Sequence, residues 1–393
     1  MKKLKICMIS KYPPHKGGTS SLNYWLSRRL GELGHEVHVV TDPPETGENY
    51  LKNLDAEQIS DYEPKNVKVH GAESVSGTNL KSRVSFLVNF SLGVMEENAI
   101  DVIDTKYFIP YGVAGFFLKL IKGKPLVTRH GGSDMLYLLK DPSYRTLLIS
   151  MLKNSDKIIL DPSKLEEIKS LGVEEERIAA CSDHVNGTGH VSAKEARRFL
   201  EKTGIDDAFP IIGCFGKISR GKGLIELLSS LSKIKNEEFL LLLAPEAERG
   251  MIKSCVSRSG LERKTKILDY QPPWLMPYLY HSLTALIATE VDFPVKFHTP
   301  LTAYEAFASG KCTVISEETH EKYQFKNLKD GVDAVIVNPK DTGNYAKRLK
   351  WIIRNPEKAE GIGINAKSSA RCSNRGVILK KLLEIYGETA ESG

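Results

Sequence analysis

The segment Ile211-Ile-Gly-Cys-Phe-Gly216-Lys217-Ile-Ser-Arg-Gly-Lys222-Gly223 constrains the fold more than any other stretch of this chain. A β-branched, apolar run ends at glycines, and apolar residues with helical spacing begin at Leu224. That order is a strand, a phosphate-sized loop and a helix whose first N–H groups lack partners. Lys217 and Lys222 place two ammonium groups beside the helix start, which suits a diphosphate. Further on, Pro300-Leu301-Thr302-Ala-Tyr-Glu305-Ala-Phe-Ala-Ser-Gly310-Lys311 supplies a carboxylate able to accept hydrogen bonds from ribose or sugar hydroxyls. The order suggests a site for a sugar joined to a diphosphate.

The same alternation runs through the whole chain, which argues for parallel sheets covered by helices. Strands are predicted at 4–10, 36–41, 67–70, 101–104, 125–129, 157–161 and 177–181. A second set follows at 210–215, 239–243, 265–268, 284–288, 312–316 and 333–337. Helices are predicted near 82–97, 110–122, 143–153, 162–170 and 193–203. A further helix opens after Gly17 and Gly18, with Leu22, Trp25, Leu26, Leu30 and Leu33 on its apolar face. The expected organisation is a domain over 1–190, a linker over 191–207 and a second domain over 208–370. A C-terminal segment over 371–393 carries a helix expected to cross back to the first domain.

With 393 residues, 41% hydrophobic and 26% charged, the chain has room for two packed cores. A net charge of +6 is too weak to argue for nucleic acid but fits anionic small molecules or an anionic membrane face. Six scattered cysteines without a CxxC pair read as buried thiols in a reducing compartment, with Cys7, Cys214 and Cys312 on predicted strands. The N-terminal apolar run is too short for a signal peptide, and no stretch is long enough to span a membrane. A cytoplasmic or membrane-peripheral protein is expected. Lys81–Phe90 and Phe116–Lys124 are basic and amphipathic, fit either to rest on an anionic membrane or to pack on the first sheet.

The chain resembles the retaining, GT-B-fold glycosyltransferases of family 4, also called group 1. The resemblance rests on Ser10-Lys-Tyr-Pro-Pro-His-Lys-Gly17-Gly18 with Gly34-His35-Glu36-Val37, on Thr128-Arg-His130-Gly131-Gly132-Ser133-Asp134, on Phe215-Gly216-Lys217 through Lys222-Gly223, on Glu305-Ala-Phe-Ala-Ser-Gly310-Lys311, and on Gly331 through Pro339. It implies an α/β protein with two Rossmann-like, doubly wound domains facing across a cleft. The donor would sit mainly on the second domain and the acceptor mainly on the first. No metal or cofactor is expected, because basic side chains and helix N-termini neutralise the leaving diphosphate.

The resemblance assigns catalytic roles to Lys217, Lys222 and His130, the first lysine standing where the family usually has arginine. Donor binding falls to Glu305, Gly17, Gly18, Gly216, Leu301 and Thr302. A family glutamate eight positions before Glu305 is Phe297 here, and Thr302 replaces a lysine found in one subgroup. Glu290, Asp292 or His298 are candidates to supply the missing sugar contact. Asp134 is expected to cap the helix after it or to orient an acceptor hydroxyl. Tyr270, Gln271 and Trp274 are placed near the base by position alone. The first loop is not a dinucleotide fingerprint: GxGxxG is missing, and no acid is read after the second strand where that fingerprint requires one. Other readings are an epimerase or phosphorylase of the same fold, or a non-catalytic nucleotide-binding or scaffold protein. The glycines often found near Ala244-Pro-Glu246 are missing.

Overall fold

The structure, a computed structural model, describes residues 2–44, 49–71, 79–185, 191–246, 249–294, 300–322, 325–368 and 375–391. Two compact units emerge. The first contains Met1–Val185 and Arg375–Gly393, and the second Asn186–Asn374.

The first unit is built on a seven-stranded sheet in the order β3-β2-β1-β4-β5-β6-β7. Its strands are β1 (Lys5–Ile9), β2 (Glu36–Val40), β3 (Val67–His70), β4 (Val102–Lys106), β5 (Leu126–Arg129), β6 (Lys157–Leu160) and β7 (Ile178–Ala180). Every pairing is parallel, with Ile6 beside Val37 on one side and Val102 on the other. Ile6 to Ile9 are all buried. Helices cover both faces, so the central strands are buried along their length: β1 reads as an apolar run, and β4 and β5 end in buried polar and charged residues.

The second unit carries a six-stranded sheet in the order β10-β9-β8-β11-β12-β13. Its strands are β8 (Ile211–Gly216), β9 (Leu240–Pro245), β10 (Thr265–Ile267), β11 (Ala285–Ala288), β12 (Cys312–Ser316) and β13 (Val335–Val337). These pairings are also all parallel. Each sheet is therefore doubly wound, and its strand order reverses at one point: between β1 and β4, and between β8 and β11. In such sheets ligands bind beyond the carboxyl ends of the strands flanking that reversal.

The helix Ala193–Thr203 lies in the stretch read as a 191–207 linker, and it belongs to the second unit. A capping box, Ser192 with Glu195, starts it. Phe199 stacks on Tyr278, ring centroids 5.4 Å apart. The C-terminal helix Arg375–Glu391 belongs to the first unit, where Tyr386 is buried and its hydroxyl donates to Asp104 Oδ1 at 3.0 Å. Asp104 also receives Arg129, whose Nε and Nη2 reach its two oxygens at 2.8 and 2.6 Å. Arg129 Nη1 reaches Asp183 at 3.0 Å, and Lys106 pairs with the same carboxylate. Two cations and two carboxylates are thus buried as a balanced set, the condition under which buried charge is tolerated. Cys7, Cys214 and Cys312 are buried free thiols, pushed up to about 12 by burial and so unreactive.

Candidate functional site

In the second unit the loop after β8 takes the form its sequence implies. Gly216 turns the chain at φ 86°, Arg220–Lys222 make one tight turn, and the helix Leu224–Ser232 follows. Gly223 is the hinge of this turn. Its φ is +69°, and a Cβ there would lie 2.7 Å from Thr289 Oγ1, so only glycine fits between the loop and the end of β11. Lys217 is exposed and has no ion-pair partner among the described residues. Its charge is near enough to Lys222 to press on that ammonium.

Lys222 is turned inward. Its ammonium pairs with Glu290 Oε1, one residue past Thr289 at the carboxyl end of β11. Glu290 Oε2 pairs with Lys322. The Glu290 side chain is 0% exposed, Lys322 3% and Lys222 20%, so Lys222 is the cation of this group that solvent reaches. The Phe293 ring lies 4.0 Å from the Lys222 ammonium and 5.4 Å from that of Lys322, an arrangement favourable to both charges. Backbone bonds fix the group: Ser316 Oγ accepts from Glu290 N–H at 3.0 Å, and Glu318 accepts from Phe293 N–H at 2.9 Å. Burial lowers the pKa of both ammonium groups, with Glu290 opposing the shift. Both oxygens of Glu290, a candidate for sugar hydroxyls, are therefore spent on lysines in this structure.

Glu305 is buried in the helix Leu301–Ala308, and one of its oxygens accepts from Tyr280 at 2.6 Å. The Tyr280 ring meets Phe215 of β8 at 5.8 Å, which ties this carboxylate to the strand ahead of the lysine loop. A Cβ on Gly216 would lie 3.5 Å from Thr302 Cγ2, so the loop and the helix start, with Leu301 and Thr302, are neighbours. Asp292 is exposed and paired with Lys340 at 3.0 Å. Tyr270 is half-buried and Trp274 buried beyond β10. His298 and Phe297 lie outside the described residues.

In the first unit, Gly17 has φ 103° and precedes the helix Gly18–Glu32, with no side chain capping it. His130 follows β5. Its Nε2 accepts from Asp161 N–H at 2.9 Å, so the ring proton sits on Nδ1 in the neutral form. That Nδ1 is buried without a partner, and burial lowers the ring's pKa. A buried donor left unmade costs about 1–3 kcal/mol, which a ligand oxygen would recover. Asp134 is fully buried and accepts from Gly131 N–H at 2.8 and 3.0 Å, Met135 N–H at 2.9 Å and Phe108 N–H at 3.2 Å. It locks the loops after β4 and β5, and no oxygen is left over for a hydroxyl. Gly131 packs so closely that a Cβ would stand 2.1 Å from the Tyr107 ring.

Sequence reading missed Lys322, Tyr280 and Phe293, and in the first unit it missed Asp42. An acid does follow the second strand, two residues beyond Val40, which corrects that reading. Asp42 is buried and receives Arg83 Nε at 2.6 Å, the Tyr111 hydroxyl at 2.7 Å and His15 Nε2 at 3.2 Å. Burial pushes its pKa up, but these donors outweigh it and hold the carboxyl down at about 2. It is spent internally and does not serve a ribose. The apolar side chains Phe117, Leu120 and Ile121 are exposed on the helix Val113–Lys122, while Lys119 pairs with Asp156 at 2.5 Å and Lys122 with Glu96 at 3.2 Å. Among the described residues no helix is long and apolar enough to cross a membrane.

Comparison with known proteins identifies the family and the fold. The family described as Glycosyltransferase Family 4 matches residues 16–180, and Glycosyl transferases group 1 matches residues 195–369. An uncharacterized glycosyltransferase from Methanocaldococcus jannaschii is 30% identical over 160 residues, 40% of each chain. The match thus spans about two fifths of that relative's length. A sucrose-phosphate synthase from Thermosynechococcus elongatus superposes with a TM-score of 0.70 at 17% identity over 100% of both chains. HepE from Anabaena, in complex with UDP-glucose, does so with a TM-score of 0.68 at 16% identity, over 98% of this chain and 100% of its own. Those two likenesses establish the fold, of GT-B type with two Rossmann-like domains. With its two units each matched by one of the paired families, the chain belongs to the group 1, family 4 glycosyltransferases.

Proposed function

We propose that this protein transfers a hexose from a nucleoside-diphosphate donor to a hydroxyl acceptor with retention at the anomeric carbon. The observation that carries the reading is the lysine loop at the β8–β11 reversal. Lys222 is anchored from behind by Glu290 yet still reaches solvent, and Lys217 stands exposed beside it. In the transfer step the bond from C1 to the diphosphate oxygen breaks and its electron pair leaves with the phosphate. Lys222 and Lys217 stabilise that charge as it develops, the role that preorganised cations serve best. The acceptor oxygen bonds to C1, and its proton passes to the departing phosphate. Buried Glu305, oriented by Tyr280, accepts from ribose hydroxyls. The Nδ1–H of His130 donates to a sugar or phosphate oxygen.

Because lysines and backbone amides supply the positive charge, the reaction is proposed to need no metal. The acceptor under this reading is a hydroxyl compound, whether glycan, lipid-linked sugar or small molecule; the exposed Phe117, Leu120 and Ile121 would give a lipid-linked acceptor a peripheral membrane contact. HepE was crystallised with UDP-glucose, which makes UDP-sugars the first donors to test. The experiment is a thermal-shift screen against UDP-, GDP-, ADP- and dTDP-sugars in the presence of EDTA, repeated with Lys222→Ala. A ligand that binds only the folded state raises the melting temperature. We expect a shift with one nucleotide series that the variant loses. No shift with any donor, in folded protein, would refute the reading.

A further inference from the structure

His15 occupies the loop between β1 and the helix Gly18–Glu32, at the carboxyl edge of the first sheet. It is only 4% exposed. Its Nε2 lies 2.7 Å from the carbonyl oxygen of Asp42 and 3.2 Å from Asp42 Oδ1. Both neighbours can only accept, so Nε2 carries a proton and Nδ1 of the neutral ring is a bare lone pair. That Nδ1 has no partner among the described residues and keeps contact with solvent. The tautomer is braced from behind. Asp42 is gripped by Arg83 and Tyr111, and the hydrogen bond from His15 N–H to Tyr12 O, 2.9 Å, fixes the loop backbone. In its neutral form the ring therefore holds an acceptor at Nδ1, fixed by an otherwise buried network.

A fixed lone pair selects its ligand. It repels a phosphate oxygen, which is also an acceptor, and it binds a hydroxyl. His130, on the loop after β5 of the same sheet, has the opposite polarity: its free nitrogen is a donor. We propose that His15 Nδ1 is a subsite for a non-reacting hydroxyl of the acceptor substrate, so that the enzyme selects polyhydroxylated acceptors, sugars or polyols, over those with a single hydroxyl. The inference rests on the transferase reading above. It involves no proton transfer, because the reacting hydroxyl gives its proton to the departing phosphate and His15 holds a neighbouring one.

Two near-isosteric substitutions separate this role from a structural one. His15→Gln keeps an N–H at the Nε2 position for Asp42 and loses the lone pair at Nδ1. His15→Asn puts an amide oxygen near the Nδ1 position and cannot reach Asp42. Octyl β-D-glucopyranoside serves as the acceptor and the four nucleoside-diphosphate glucoses as donors, with release of nucleoside diphosphate as the rate. Nucleoside-diphosphate affinity is measured separately by calorimetry. We expect His15→Gln to raise the KM for the glucoside about tenfold, near the upper end of what one hydrogen bond contributes. Donor affinity stays unchanged, and His15→Asn remains within about threefold of wild type. An unchanged glucoside KM in His15→Gln overturns the inference. So does the reverse order, with His15→Asn the worse variant and its loss tracking a lower melting temperature. If wild type binds a nucleoside diphosphate but never glycosylates the glucoside, the hydroxyl subsite falls while the nucleotide site stands. If it binds none, the transferase reading itself fails.

Discussion

Replacing Glu290 by glutamine removes one charge and almost no volume, and so isolates the electrostatics of the lysine loop. In the wild type one buried carboxylate is shared by two ammonium groups, and the Lys322 side chain is only 3% exposed. Breaking a buried ion pair from one side costs about 3–5 kcal/mol. Lys222 retains 20% exposure and can turn outward, which favours the lower end, about 3 kcal/mol. For a unit of the size of Asn186–Asn374, each kcal/mol lowers the melting temperature by about 2–4 °C, so a drop of roughly 6–12 °C follows. The pH dependence supplies a sign. Both lysine pKa values are lowered in the folded state because burial outweighs Glu290. The unfolded chain then binds more protons, and stability rises with pH between the folded pKa and the ordinary lysine value. Without Glu290 the folded pKa values drop further and this window widens downward. The deficit of Glu290→Gln is therefore largest near about pH 6 and narrows toward about pH 10, where the lysines shed their protons. Thermal unfolding of both proteins across that range, followed by circular dichroism, checks it. A variant melting within about 2 °C of wild type at every pH would show that the carboxylate does not hold these lysines, and the argument for Lys222 as an anchored cation would fall with it.

Four further outcomes are expected. Lys222→Ala should lower kcat by about 100-fold or more with a small change in melting temperature, measured by donor turnover, since it removes a cation that faces developing charge. Tyr280→Phe should raise the donor KM several-fold and leave kcat nearly intact, because Glu305 loses the 2.6 Å bond that orients it; steady-state kinetics against donor concentration distinguishes the two. His130→Phe should cut kcat/KM at least tenfold, as it deletes a buried donor that only a ligand satisfies; it also leaves Asp161 N–H without its acceptor, at about 1–3 kcal/mol of stability, and an unchanged kcat/KM in the folded variant would refute the ligand role. Tyr386→Phe should cost the first unit about 1 kcal/mol in urea unfolding, the worth of its bond to Asp104.

The strands were legible because of where they lie. β1, β8 and β11 are covered on both faces, so the sequence marks each with an apolar run, and observed bounds fall within about two residues of the reading. The lysine loop was legible for a local reason: its glycines and the helix start are contiguous in sequence. Lys322 was not. It meets Glu290 only because β12 lies beside β11, so their following loops are neighbours, and no sequence spacing encodes that adjacency. Asp42 was misread for a similar reason. An acid after a strand looks like any turn residue until Arg83 and Tyr111, from a helix and from the turn after β4, are seen to converge on it.

The side chains that sequence reading ranked by type are sorted in the structure by which partner each already has. Glu290 and Asp42 both looked or could have looked like ligand-binding acids, and both are consumed by internal cations. Glu305 is held on one oxygen by the Tyr280 hydroxyl at 2.6 Å, a neutral donor rather than a cation. The two histidines of the first sheet's carboxyl edge are each fixed at Nε2, one by a donor and one by acceptors, so they present opposite polarity at Nδ1. Buried carboxylates that look catalytic here set the direction of their neighbours, and three groups at the strand ends without a partner among the described residues, Lys217, His130 Nδ1 and His15 Nδ1, are where substrate chemistry should be sought first.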